Sequence, residues 1–282
     1  MRKVVSVPRE RAIHADEIGL ETAKFGAYRL KSLFQPIFRI GATDLVPEAA
    51  DAMVLPLLEY EPVGLEGVFS TLEPHMRGEL NSLCNLMHIG NHHHLGSGDL
   101  PLHMSFEPAL QSGSRGVENL ALMFARSAQT GMALPSLVCS LSCGGESGHP
   151  VSNEVVETMR LGGVRIAVAE FGPSSSMLET IDRIQPDIVK FDARWFQRVA
   201  KSIPALRLMR QLVEGLKRAG AEVMVTGLES RAQLLAAMSV GADLVHGDVL
   251  ARPQQAGLSF DMRPLEIRRI FRDPRKVVIS LK

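Results

Sequence analysis

The stretch that most constrains the fold is Val164–Asp192, VRIAVAEFGPSSSMLETIDRIQPDIVKFD. Val164–Val168 is β-branched and apolar apart from Arg165, as suits a strand buried in a parallel sheet. Ile188–Lys190 repeats the pattern after a helical segment, Met177–Ile184. That is one strand–helix–strand unit. In such units the polar groups at the carboxyl ends of the strands face a common mouth, so Ala169, Glu170, Lys190 and Asp192 are expected near one another.

The rest of the chain repeats this plan. Tyr28–Ile40 reads as a strand interrupted by Pro36, and Asp44–Glu48 as a second; residues 54–67, with Pro56, Pro62 and two glycines, read as loop and short helix. A helix is expected over Glu73–His88, stopping at Gly90 and Asn91. Strands at Leu102–Phe106, Leu137–Leu141, Glu222–Thr226 and Leu244–His246 follow, with helices at about 115–130, 152–161, 205–219 and 231–239. Eight strands with helices between most of them favour a closed (β/α)8 barrel over an open sheet. A leader over residues 1–27 and an extension over 256–282 flank a barrel over 28–255.

Composition excludes several classes. Lys plus Arg and Asp plus Glu are 31 each, so no global field attracts nucleic acid or acidic membrane. The charged start lacks the apolar core of a signal peptide, and no window approaches the roughly 18 apolar residues of a membrane span. Three cysteines suit a reducing cytoplasm better than a disulfide framework. Cys139 and Cys143 have no second pair with which to complete a zinc site. His88 and His92 are spaced i, i+4, as two metal ligands on a helix would be, but Gly90–Asn91 argues that the helix stops first. A solvated loop is the expectation for His88, His92, His93 and His94.

Eight short motifs then occur in one order: FQPIF at Phe34–Phe38, PEAAD around Glu48, LHMSFEP, SLVCSLS, LGGVRIAVAEFG, PDIVKFD, VTGLES and LVHGDVLARP. In these the chain resembles the EAL domain family, the cyclic di-GMP phosphodiesterase fold, over about residues 28–255. The resemblance implies a modified TIM barrel whose first strand is antiparallel to the rest. In active members it implies two divalent cations at the mouth that activate a water.

It also implies a degenerate site. Glu48 falls on the first acidic ligand, Ser105 on the ligand asparagine, Ser140 and Cys143 on two glutamates, and Ala169 and Glu170 on the paired aspartates. Thr226 stands for the next glutamate, Glu229 for its companion, and His246 for a glutamine. Lys190 and Asp192 match. Two dications need several hard anionic oxygens, which alanine, serine and threonine do not supply. The expectation is therefore no catalysis, no metal and no cofactor.

The function expected is that of a cytoplasmic regulatory protein acting through a protein partner in cyclic di-GMP-linked physiology such as motility, biofilm or surface behaviour. The alternative is a metal-independent cyclic di-GMP receptor that uses Gln35, Asp192 and Arg252, although Ala52 replaces the arginine that follows the EAL motif. Residual phosphodiesterase activity is the least favoured reading, and a new metal triad of Glu48, Glu170 and His246 is a minor one. The resemblance adds a homodimer as an open question, with the Gly172–Leu178 loop as its element.

Overall fold

The computed structural model describes residues 12–96, 100–107, 114–142, 151–172 and 175–272. Eight strands close a barrel: β3 (Tyr28–Ile40), β4 (Asp44–Leu58), β6 (Leu102–Phe106), β7 (Leu137–Ser142), β8 (Arg165–Phe171), β9 (Ile188–Phe191), β10 (Glu222–Val225) and β11 (Leu244–Val245). Strand β3 is antiparallel to both neighbours, β4 and β11, and the other pairs around the barrel are parallel. The helices α2 (Pro74–Asn91), α3 (Ser114–Thr130), α4 (Asn153–Leu161), α5 (Ser175–Ile184), α6 (Ala193–Val199), α7 (Ile203–Arg218) and α8 (Arg231–Ser239) alternate with the parallel strands. Two apolar clusters lie between strands and helices, one around Met104, Leu120 and Ile166, the other around Val189, Val213 and Val223. The strands read as continuous apolar runs because their outward side chains fill these layers while alternate residues fill the barrel.

Additional strands decorate the barrel. β1 (Ile13–Ala15) and β2 (Glu21–Phe25) extend the sheet along β3, so part of the segment expected as an exposed leader is paired and buries Ala23. β5 (Glu61–Pro62) pairs with β4, β12 (Gln254–Gln255) with β3, and β13 (Leu265–Glu266) with β4; α1 (Leu65–Ser70) and α9 (Ile267–Arg272) complete the elements. No described helix is long and apolar enough to cross a membrane.

Two local expectations are corrected. Strand β4 does not stop at Glu48 but runs to Leu58, carrying Pro56 near its end where β5 begins to pair. Helix α2 does not stop before Gly90 but runs through it to Asn91. A Cβ on Gly90 would collide with the Glu21 carboxylate and the Arg126 guanidinium, so this glycine admits an ion pair against the helix and does not end it. The Asn91 side chain accepts from the Glu21 backbone N–H and donates to the Glu21 carbonyl, each at 2.8 Å, fastening β2 to α2.

The histidine cluster is accordingly not a solvated loop. His88 is buried with Nδ1 2.8 Å from Ser32 Oγ, and buried His92 donates from Nε2 to the Leu100 carbonyl at 2.6 Å. His93 is exposed, and His94 packs on it with ring centroids 3.9 Å apart.

Candidate functional site

The barrel interior is built in three levels, which follow from side chains alternating along each strand. At the floor, the amino end of the parallel strands, Arg39 bonds Glu48 and reaches Glu222 Oε1 at 2.5 Å, while Arg165 reaches Glu222 Oε2 at 2.7 Å. Above them Ile37, Ala49, Val138, Ala167, Ile188, Met224 and Leu244 form an apolar plug. The third level opens at the carboxyl ends as a cavity of about 490 Å³, lined by Asp51, Ser105, Ser140, Ala169, Lys190, Thr226 and His246, with Asn81, Asn85 and His88 from α2.

Glu48, expected at the mouth, is on the floor. The β3–β4 ladder shifts register between Ile37 and Phe38, pairing Ile37 with Ala49 but Phe38 with Pro47, so Glu48 is the extra residue of a bulge. The acid that β4 brings to the mouth is Asp51, paired in register with Gln35 on one side and His103 on the other. Its Oδ1 lies 3.2 Å from Lys190 Nζ. Asp51 is the one carboxylate lining the cavity among the described residues.

Of the other expected residues, Ser105, Ser140, Ala169, Lys190, Thr226 and His246 do converge. Thr226 Oγ1 donates to the Phe191 carbonyl at 3.0 Å, and Asn81 and Asn85 both donate to the Ser105 carbonyl. Glu170 lies outside the cavity lining, at a β8 bulge where its φ is +56°. Desolvation there and the neighbouring Asp192 carboxylate push its carboxyl up, opposed by a hydrogen bond with Ser142. Asp192 is spent capping α6, accepting from Trp195 N–H at 2.6 Å. Glu229 and Arg252 are exposed. Gln35 donates to Asp248 Oδ1 at 3.0 Å and to the Ala251 carbonyl at 2.7 Å, so it ties the loop after β11 to β3. Cys143 lies outside the described residues, as do Pro173 and Ser174 of the segment expected as the Gly172–Leu178 loop, and helix α5 already begins at Ser175.

The triad of Glu48, Glu170 and His246 does not assemble, with Glu48 on the floor and Glu170 outside the cavity lining. Among the described residues no three metal-ligating side chains come together. Burial pushes the His246 imidazole down, against the pull of Asp51 and Asp248, and pushes His103 well down, with Lys190, Arg165 and His246 adding to the effect. Burial likewise raises the Cys84 and Cys139 thiols to about 12, leaving both protonated and inert at neutral pH.

The EAL domain model matches residues 23–253. The chain belongs to the EAL domain family. It is 22% identical over 105 residues to the blue light- and temperature-regulated antirepressor BluF of Escherichia coli K12, a match covering 37% of this chain and 26% of BluF. A standalone versatile EAL protein of Vibrio cholerae O395, solved with c-di-GMP bound, superposes with a TM-score of 0.68 at 19% identity, covering 81% of this chain and 94% of that one. Klebsiella pneumoniae BlrP1, solved with FMN and cyclic diGMP and no metal ions, superposes with a TM-score of 0.64 at 15% identity, over 84% of this chain and 56% of that one. This EAL chain thus spans about a quarter of BluF and just over half of BlrP1.

Proposed function

We propose that this EAL-domain protein does not hydrolyse cyclic di-GMP and acts as a regulatory protein, through contact with another protein, in cyclic di-GMP-linked signalling. The observation that carries the first half is the charge of the mouth: its one carboxylate among the described residues, Asp51, is neutralised by Lys190. Two dications repel each other strongly and are held only by several anionic oxygens. Ser105, Ser140, Ala169 and Thr226 offer hydroxyls or nothing at all in their place. The residues present therefore do not fit a two-cation centre, and no hydrolytic step runs through one. Asp51 stands at the family's first acid position in this reading, shifted from Glu48 by the bulge, and the arginine four residues on is then Leu55, not Ala52.

The second half is supported by the likeness to BluF, which is itself an antirepressor. A second reading, metal-independent binding of cyclic di-GMP, is favoured by one observation: BlrP1 holds the dinucleotide without metal on the same fold. Against it stand the missing arginine and the prior engagement of Gln35 and Asp192. The deciding experiment is calorimetric titration with cyclic di-GMP, with Mg²⁺ or Mn²⁺ and again with chelator, while following linear product by chromatography. Neither heat nor product is expected. Metal-dependent product would overturn the proposal, and chelator-insensitive binding without product would establish the receptor reading.

A further inference from the structure

We propose that the barrel mouth binds an uncharged, planar heterocycle that carries an N–H beside a C=O, a lactam about the size of a nucleoside. The cavity of about 490 Å³ falls within the range of roughly 300–1,000 Å³ usual for small-molecule sites. Its polar groups are not all satisfied by the protein. His246 is 8% exposed and neither ring nitrogen has a hydrogen-bond partner; Ser140 is 6% exposed and its Oγ has none. The nearest carboxylate oxygen to His246 Nε2, on Asp51, is 3.9 Å away and beyond hydrogen-bond reach. Buried polar groups are nearly always paired, so two orphans lining one cavity point to a ligand that pairs with them.

The chemistry of the orphans defines that ligand. A neutral imidazole offers one N–H and one lone pair, and a serine hydroxyl offers both as well. Lys190 holds three N–H donors, of which one is directed at Asp51. Donors and acceptors therefore stand together, and an amide-like edge brings one of each to meet them. The walls beside them, Leu65, Phe69 and Ala169, suit the faces of a flat ring. Net charge then discriminates. Asp51 and Lys190 cancel, so a phosphate entering the mouth loses its hydration and gains no compensating charge. The cavity alone carries this assignment, whether or not a protein partner is found.

The test is calorimetric titration of the full chain with inosine and uridine, and with their 5′-monophosphates. The nucleosides are expected to bind, each monophosphate at least tenfold more weakly. His246→Ala is expected to weaken nucleoside binding at least tenfold, and His246→Asn, which keeps a donor and an acceptor, by less. Should His246→Ala fail to fold by circular dichroism, Ser140→Ala supplies the same test. Asp51→Asn leaves the mouth cationic and is expected to reverse the order, favouring the monophosphates. No nucleoside binding at millimolar concentration, monophosphates binding as tightly to the unaltered protein, or binding indifferent to His246 and Ser140 would each overturn the proposal.

Discussion

Lys190 Nζ and Asp51 Oδ1 stand 3.2 Å apart across the barrel mouth, joining β9 to β4 with the ammonium almost fully buried. The pair leaves the mouth with zero net charge. Replacing Asp51 by Asn strands the Lys190 ammonium. Removing one partner of a buried pair costs about 3–5 kcal/mol, but the carboxylate is partly open to solvent, so a loss of about 1–3 kcal/mol in urea unfolding is expected. The double variant Asp51→Asn with Lys190→Met should recover most of it. A double variant no more stable than the single would show that the ion pair is not the cause.

Restoring one acid should not restore chemistry. Ala169→Asp adds a second carboxylate to the mouth, yet Ser105, Ser140 and Thr226 still surround it and Asp51 remains tied to Lys190. Incubation with cyclic di-GMP and Mn²⁺ is expected to give no linear product above the unaltered protein. Turnover in this single variant would contradict the argument that several anionic ligands are needed at once.

Much of the barrel is legible in the sequence, and the departures have a common cause. The buried runs at Val164–Val168 and Ile188–Lys190 specify parallel strands, and six of the expected mouth residues do converge, because position along an uninterrupted strand fixes which end a side chain reaches. The acid of β4 lies three residues beyond the expected one. Glu48-Ala49-Ala50 looks more like the motif than Asp51-Ala52-Met53, and only the bulge opposite Ile37 and Phe38 decides which carboxylate points up. A bulge leaves no mark in apolar periodicity. Gly90 is ambiguous for a similar reason: a glycine that ends a helix and one that admits a neighbouring ion pair read alike until Glu21 and Arg126 are seen against it. His103, fully buried beneath the mouth, stands in a strand motif with nothing to distinguish it.

Glycine substitutions separate close approach from helix propensity directly. At Gly247, φ is +154° and a Cβ would collide with the Leu228 nitrogen, whose N–H donates to the His246 carbonyl. Gly247→Ala must push this loop off Leu228 and is expected to cost about 3 kcal/mol in urea unfolding. Gly215, inside α7, has nothing within 4 Å of the place a methyl group would take. Gly215→Ala should stabilise by about 0.5–1 kcal/mol through helix propensity. Equal effects at the two sites would refute the close-approach argument.

Three of the buried histidines, His88, His103 and His246, make acid the weak side of this fold. Burial lowers His88 to about 3, opposed by Asp51, and lowers His103 and His246 as well. In the unfolded chain each titrates near 6.5. Between the two values the unfolded state binds the proton and the folded state does not, so stability rises with pH across that window and falls as pH drops below about 6.5. Each histidine contributes up to about 1.4 kcal/mol per pH unit while it remains neutral in the fold. For His88 that slope should persist down to about pH 3. Urea midpoints measured from pH 7.5 to about 4.5 are expected to be flat above about 7 and to drop steeply below about 6. His88→Gln, whose amide can still meet Ser32 Oγ, should remove one histidine's share of the slope. A slope unchanged in that variant would mean that His88 is already protonated in the folded protein, against the burial that keeps it neutral.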